Sequence, residues 1–75
     1  MNNVQKAREL LARALNVDEQ HVDSSTMIGV TRQWDSLAHM RLILALEEVL
    51  GNELDMEAVV NIGSLSDVEA TLSGA

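Results

Sequence analysis

Apolar side chains recur at three- and four-residue steps through Val4, Ala7, Leu10, Leu11, Ala14 and Leu15. That spacing predicts one buried face of an amphipathic helix. Asn2 or Asn3 suits its start, and Asn16, which tolerates left-handed backbone, suits its end. From Val17 to Asp35 no period is sustained, and Asp18, Asp23, Ser24, Ser25 and Gly29 are turn and cap formers. A bare loop of that length is uncommon in a small domain. Val22, Met27, Ile28, Val30 and Trp34 are therefore read as anchors pinning the loop across a bundle, with a single helical turn expected somewhere in 24–29.

The strongest apolar helical pattern comes next, from about Ser36 to Leu50, with Asp35 as N-cap and Gly51 as stop signal. At about 100° per residue, Leu42, Ile43, Leu46, Val49 and Leu50 share one side, with Ala38 and His39 at its margins. Leu37, Met40, Arg41, Leu44, Glu47 and Glu48 fall on the other. A face mixing exposed apolar residues with charge predicts a docking surface that begins beside Ser36. Met56 to Val60 predicts a short helix, cut off by Asn61-Ile62-Gly63. Ser64, with Asp67 three residues on, predicts a capping-box start to a last short helix. Leu65, Val68 and Leu72 form its buried stripe, and Ser73-Gly74-Ala75 reads as a frayed tail.

These elements predict an all-α fold: a small bundle of three main helices plus one short helix, with a long first loop. Residues 1–75 form a single domain, ordered from about 3 to 72. Val4, Leu10, Leu11, Leu15, Leu42, Leu46, Val49, Leu65, Val68 and Leu72 are expected to make most of the core.

Composition narrows the chemistry. The 75 residues include no cysteine, which excludes disulfides, thiolate metal sites and a cysteine nucleophile. Any thioester chemistry needs a thiol from an attached group. The net charge is -7 and unevenly spread. Residues 1–17 carry Lys6, Arg8 and Arg13 against Glu9, whereas residues 18–75 set Arg32 and Arg41 against all the other acids. Such a surface repels nucleic acid and anionic lipid and attracts proteins with basic patches. A DNA-mimicking inhibitor is the other use of such acidity. No apolar run reaches the roughly 18–20 residues of a membrane span, and Met1 to Leu10 holds no apolar block of signal-peptide type. A cytoplasmic monomer is expected.

Ser36 sits where loop becomes helix, beside unsatisfied backbone N–H groups and the positive end of a helix dipole. An anion such as a phosphate is well held there. On the residues alone, Asp35-Ser36 reads first as a helix cap, and Trp34 as an anchor whose indole N–H meets a carbonyl or an attached group. His39 is placed three residues on, like a base, but no nucleophile elbow or oxyanion loop accompanies it. His21 and His39 form no metal motif with the scattered carboxylates. Asp18, Glu19 and Asp23 lack EF-hand spacing. Neither a catalytic residue nor a metal ligand is assigned, and the chain is not expected to be an enzyme.

The wider context adds a resemblance. Asp35-Ser36-Leu37 opens a helix that continues as Leu42-Ile43-Leu44-Ala45-Leu46-Glu47-Glu48. Glu53-Leu54, Ile62 and Ser64-Leu65-Ser66-Asp67-Val68 follow, while Leu15-Asn16-Val17 and Val22 precede it. Over nearly its whole length the chain resembles the acyl carrier protein family. That resemblance implies 4'-phosphopantetheine attached from coenzyme A to Ser36 by a phosphopantetheinyl transferase. Asp35 would cap the helix and help position the transferase or its metal ion. The arm's thiol would carry acyl, or aminoacyl, thioesters between a loading ligase and downstream synthase or transferase enzymes. These would dock on Leu37, Met40, Arg41, Leu44 and Glu48. The alternative from another class is an unmodified acidic helical interaction module or inhibitor.

Two departures from the family pattern stand out. Thr31-Arg32-Gln33 and Trp34 replace the frequent Asp-Leu-Gly segment, and Ala38-His39-Met40-Arg41 replaces an acidic helix start. Charge complementarity governs encounter and partner choice more than raw affinity. A specialised stand-alone carrier is therefore expected. Trp-Asp-Ser-Leu followed by His is similar to carriers of specialised pathways, including polyketide-type and aminoacyl-loading systems. The aliphatic core, without Phe or Tyr, leaves room for a sequestering cavity between the second and third helices.

Overall fold

The computed structural model describes residues 3–74. Four α-helices, α1 (Asn3–Leu15), α2 (Ser36–Leu50), α3 (Met56–Asn61) and α4 (Leu65–Gly74), form a small all-α bundle, as the hydrophobic pattern predicts. Among the described residues the one β-type contact is an isolated bridge between Met27 and Ser64. No helix of the described residues is long and apolar enough to cross a membrane.

Helix α1 packs against both α2 and α4. Its buried face holds the expected Ala7, Leu10, Leu11, Ala14 and Leu15 and adds a third alanine, Ala12. Small side chains let neighbouring helices approach closely, so the alanine positions bury as completely as the leucines. Val4 and Val49, expected in the core, are 48% and 45% exposed. Both lie at the edge of a helical stripe near a helix end, where the neighbouring helix no longer covers them. Leu50 is half-buried. Leu42, Leu46 and Val68 are wholly buried, and Ile43, Ile62 and Leu65 complete the centre. Ser73 and Gly74 are not frayed, since α4 includes both and the Ser73 hydroxyl accepts from Asn3 Nδ2 at 2.8 Å. The candidate cap Asn2 and the last residue, Ala75, lie outside the described residues.

Helix α1 ends by a Schellman arrangement. Asn16 takes a left-handed φ of 61°. Val17 N–H donates to Ala12 O at 3.0 Å and Asn16 N–H to Arg13 O at 3.2 Å. These bonds satisfy the last carbonyls and turn Val17 onto the core. Gly51, at φ 79°, ends α2 through its N–H to Glu47 O at 2.8 Å. Glu47 also accepts from Leu54 N–H at 2.9 Å, which ties the next segment to α2. At the start of α4, Asp67 N–H donates to the Ser64 hydroxyl at 3.1 Å, while the Asp67 carboxylate accepts from Gly63 N–H at 2.9 Å. The expected capping box is present but reaches one residue further back.

The long first loop differs most from expectation. Only Val22 and Trp34 of the five anchors are buried, whereas Met27, Ile28 and Val30 are exposed. The helical turn is a 3-10 turn at Glu19–His21, not within 24–29. Arg8 holds that turn on α1 by donating to Glu19 O at 3.0 Å, and Gln5 Nε2 donates to the Glu19 carboxylate at 2.8 Å. Polar bonds replace the missing apolar anchors. Asp23 Oδ1 accepts from the Ser25 hydroxyl and, beside it, the Ser25 N–H, which lower the Asp23 carboxyl from its ordinary value. Thr26 is buried, with its hydroxyl accepting from Asp23 N–H at 3.1 Å. Met27 N–H donates to the Thr31 hydroxyl and Thr31 N–H to Met27 O, at 2.9 and 2.7 Å. Loop backbone in a small domain must find such partners, because each unpaired buried group costs about 1–3 kcal/mol.

One cross-link fixes the loop against the far end of the bundle. Ile28 N–H donates to Gly63 O at 2.9 Å. A Cβ on Gly63 would stand 2.9 Å from Ile28 Cγ2, too close for an unshifted side chain. Gly63→Ala is expected to cost about 1–3 kcal/mol by overpacking, read as a lower urea midpoint at unchanged m-value. An unchanged midpoint would show that Ile28 simply swings away.

Candidate functional site

The site is built on the start of α2. Asp35 has extended backbone (φ -95°, ψ -175°), and its Oδ1 accepts from Ala38 N–H at 2.8 Å. That satisfies one of the helix's free donors and makes Asp35, not Ser36, the cap. Ser36 is the first residue of the helix and is exposed. Its hydroxyl has no hydrogen-bond partner among the described residues. The side chain therefore stands free at the positive end of a 15-residue helix.

Behind Ser36 lies a relay not foreseen from the sequence. Trp34 is buried, only 3% exposed, and its Nε1–H donates to His39 Nδ1 at 3.0 Å. The two rings lie 6.1 Å apart at 30°. His39 Nε2 meets Val59 O at 2.8 Å. An indole N–H only donates, so Nδ1 must accept and the imidazole proton must sit on Nε2, where it donates to the Val59 carbonyl. Both nitrogens are thereby committed. His39 is a local structural bridge from the loop through α2 to α3, and it has no lone pair left to serve Ser36 as a base. The sequence signal was slight: an aromatic donor and an imidazole five residues apart across a helix start.

The remaining candidate residues spread along α2. Leu37, Met40 and Leu44 are exposed at 61%, 53% and 62%, and Glu48 is exposed one turn beyond Leu44. Met56 and Val60 on α3 add further exposed apolar surface. Arg41 differs from its neighbours, because its Nη1 reaches back to Ala14 O at 3.4 Å. The guanidinium thus rests at the C-terminal end of α1, where the helix dipole favours a cation.

An open groove of about 510 Å³ runs beside Ser36, lined by Ile28, Gly29, Trp34, Asp35, Ser36, His39 and Met40. A second hollow, of about 290 Å³, lies along α1 and the 3-10 turn between Glu9, Arg13, Asp18 and Glu19. Its lining is mainly charged and includes no nucleophile. Among the described residues no group of three or more His, Asp or Glu side chains is placed to hold a metal ion. Chemically, the start of α2 presents one uncommitted hydroxyl in a field that favours phosphate, with an apolar groove at its side. In comparisons with known proteins, the chain matches no family model and no curated protein.

Proposed function

We propose that the chain is a carrier protein that bears 4'-phosphopantetheine on Ser36 and shuttles acyl or aminoacyl thioesters between partner enzymes. The observation that carries this reading is the exposed, unbonded Ser36 hydroxyl at the first position of α2, within a motif that resembles the acyl carrier family. The residues present fit the group. Ser36 Oγ forms the phosphodiester, and the N-terminal field of α2 lies against its negative charge. Asp35 holds the backbone at the attachment point in one geometry. The bound arm supplies the thiol that a cysteine-free chain lacks. With His39 tied to Trp34 and Val59, the base that takes the serine proton belongs to the transferase.

Leu37, Met40, Leu44 and Glu48 form the face for the transferase, the loading ligase and the downstream enzymes, with Arg41 on its rim. Intact mass after incubation with coenzyme A and a promiscuous phosphopantetheinyl transferase tests the reading. A phosphopantetheine-sized increase is expected. No increase would favour an unmodified acidic interaction module, and turnover by the purified apo-protein would favour an enzyme.

Arg41 sets partner choice in this reading. Arg41→Glu is expected to raise the rate of modification or loading by general fatty acid synthesis enzymes. It also removes a cation from the α1 C-terminus and adds an anion, costing about 0.3–1 kcal/mol. Arg41→Gln separates the two effects, since it loses the cation without adding the acid. Equal rates for all three proteins would count against charge-coded partner choice.

A further inference from the structure

We propose that His39 is a positioning residue whose two ring nitrogens couple α3 to the turn that presents Ser36, so that displacement of α3 by a partner enzyme is transmitted to the attachment serine. The consequence at Ser36 rests on the carrier reading, whereas the coupling itself rests on geometry alone. One nitrogen secures the Ser36 turn. Trp34 and His39 flank Ser36 in sequence, and the indole bond to Nδ1 at 3.0 Å closes a staple across it. Two further bonds lie inside that staple: Ala38 N–H to Asp35 Oδ1 at 2.8 Å, and His39 N–H to Asp35 O at 2.9 Å. Trp34 is buried, so the outer end of the staple is fixed in the core. The backbone on both sides of Ser36 is thereby held while its side chain stays exposed.

The other nitrogen secures α3, the most weakly held helix of the bundle. None of its six residues is fully buried, and only Ala58 and Val59 are half-buried. Helix α1 packs extensively on α2 and α4, whereas α3 packs on no helix to that extent. The last carbonyls of any helix lack donors of its own. Ile62 N–H takes Ala58 O, but Gly63 N–H, which would reach Val59 O in a longer helix, donates to Asp67 Oδ2 instead. The Val59 carbonyl is left for His39 Nε2–H, at 2.8 Å. Among the described residues, His39 is the one that sends a hydrogen bond to α3 from another helix.

A single rigid ring therefore stands between the two. Helix α3 carries Met56 and Val60, exposed at 73% and 68%, which give an apolar partner surface something to grip. Drawing α3 away takes Val59 O from Nε2 and frees the imidazole to turn. The ring is planar, so any turn at Nε2 moves Nδ1 as well and strains the bond to the Trp34 indole. Hydrogen bonds in series also polarise one another, so losing one weakens the next. The partner that uses this coupling is an enzyme whose contact extends beyond α2 to α3. One that touches α2 alone leaves the relay as it is.

Hydrogen exchange in a double-mutant cycle tests the coupling. Asp55→Ala, at an exposed position, removes the carboxylate that accepts from Ala58 N–H at 2.8 Å and so loosens α3. With His39 present, exchange of both the Ile62 amide and the Trp34 indole N–H should accelerate, roughly 2- to 10-fold. In His39→Asn, the Asn Oδ1 stands where Nδ1 did and still accepts from the indole, but nothing reaches Val59 O. There Asp55→Ala should accelerate Ile62 and leave the indole unchanged. Equal acceleration of the indole in both backgrounds, which signals global unfolding, would overturn the coupling, as would no acceleration in either. Phosphopantetheine transfer gives the second readout. His39→Gln keeps a donor for Val59 O and loses the acceptor for Trp34, so kcat should fall roughly 10- to 100-fold as Ser36 is misplaced. His39→Asn should act on KM instead, through the loosened α3. Matching kcat losses in the two variants would refute the positioning role at Ser36. The exchange cycle needs no transferase, so a parent protein that accepts no phosphopantetheine would count only against the carrier reading.

Discussion

Ser36→Ala should abolish the phosphopantetheine-sized mass gain completely while leaving stability within about 0.5 kcal/mol of the parent. Both halves of that result follow from the same geometry. The hydroxyl is exposed and has no partner among the described residues, so its removal strands no other polar group. The cap of α2 is the Asp35 carboxylate, which the substitution leaves in place on Ala38 N–H. Alanine is also the best helix former, and the first helical position accepts it readily. If Ser36 were instead the working cap, the change would cost about 0.5–2 kcal/mol. Intact mass and urea unfolding of the same two proteins therefore separate an attachment site from a capping residue. A mass gain that persists in Ser36→Ala would sink the assignment of Ser36, whatever the stability.

Trp34→Ala is expected to have the largest effect on folding, a loss of about 3–5 kcal/mol. Small domains are stable by only about 5–15 kcal/mol, so such a loss removes a large share of the total. The indole is buried in the loop wall and is the donor that orients His39. Trp34→Phe retains much of the ring but removes the N–H, which leaves His39 Nδ1 without its donor. That narrower loss is expected at about 1–3 kcal/mol. Circular dichroism must report both, because Trp34 is the only tryptophan. Equal losses in the two variants would mean that the hydrogen bond, and not the packing of the ring, secures the loop.

Helix α2 was readable in the sequence almost to the residue. Asp35 and Gly51 bracket a sustained apolar period, and each acts through bonds to neighbours four residues away or fewer. The same locality made the Asn16 end of α1 and the Ser64–Asp67 start of α4 legible. The loop was less so. Apolar residues there suggested anchoring, yet Met27, Ile28 and Val30 face outward, and Asp23, Thr26 and Thr31 hold the turns with hydrogen bonds. Hydropathy reports what burial would gain but carries no information on which polar groups meet. A helical period likewise gives the direction of a buried face but not its width, so Val4 and Val49 at its edges are exposed while Ala12 joins the face. For Arg41 the periodicity placed the backbone on the outer face, whereas the long side chain reaches back to Ala14 O. Such a side chain spans several ångströms beyond its Cα, and a partner on another helix decides where its charge ends up.

By itself the sequence determined the all-α class, the bounds of α2, and a serine at that helix's start, because caps and periods are short-range properties of the chain. The tertiary structure alone decided the bonds between distant residues: His39 to Val59, Ile28 to Gly63 and Arg41 to Ala14. These form only once packing has brought separate segments together, and no local propensity encodes them. They turn His39 from a possible base into a bridge, and they leave the Ser36 hydroxyl uncommitted above an open groove.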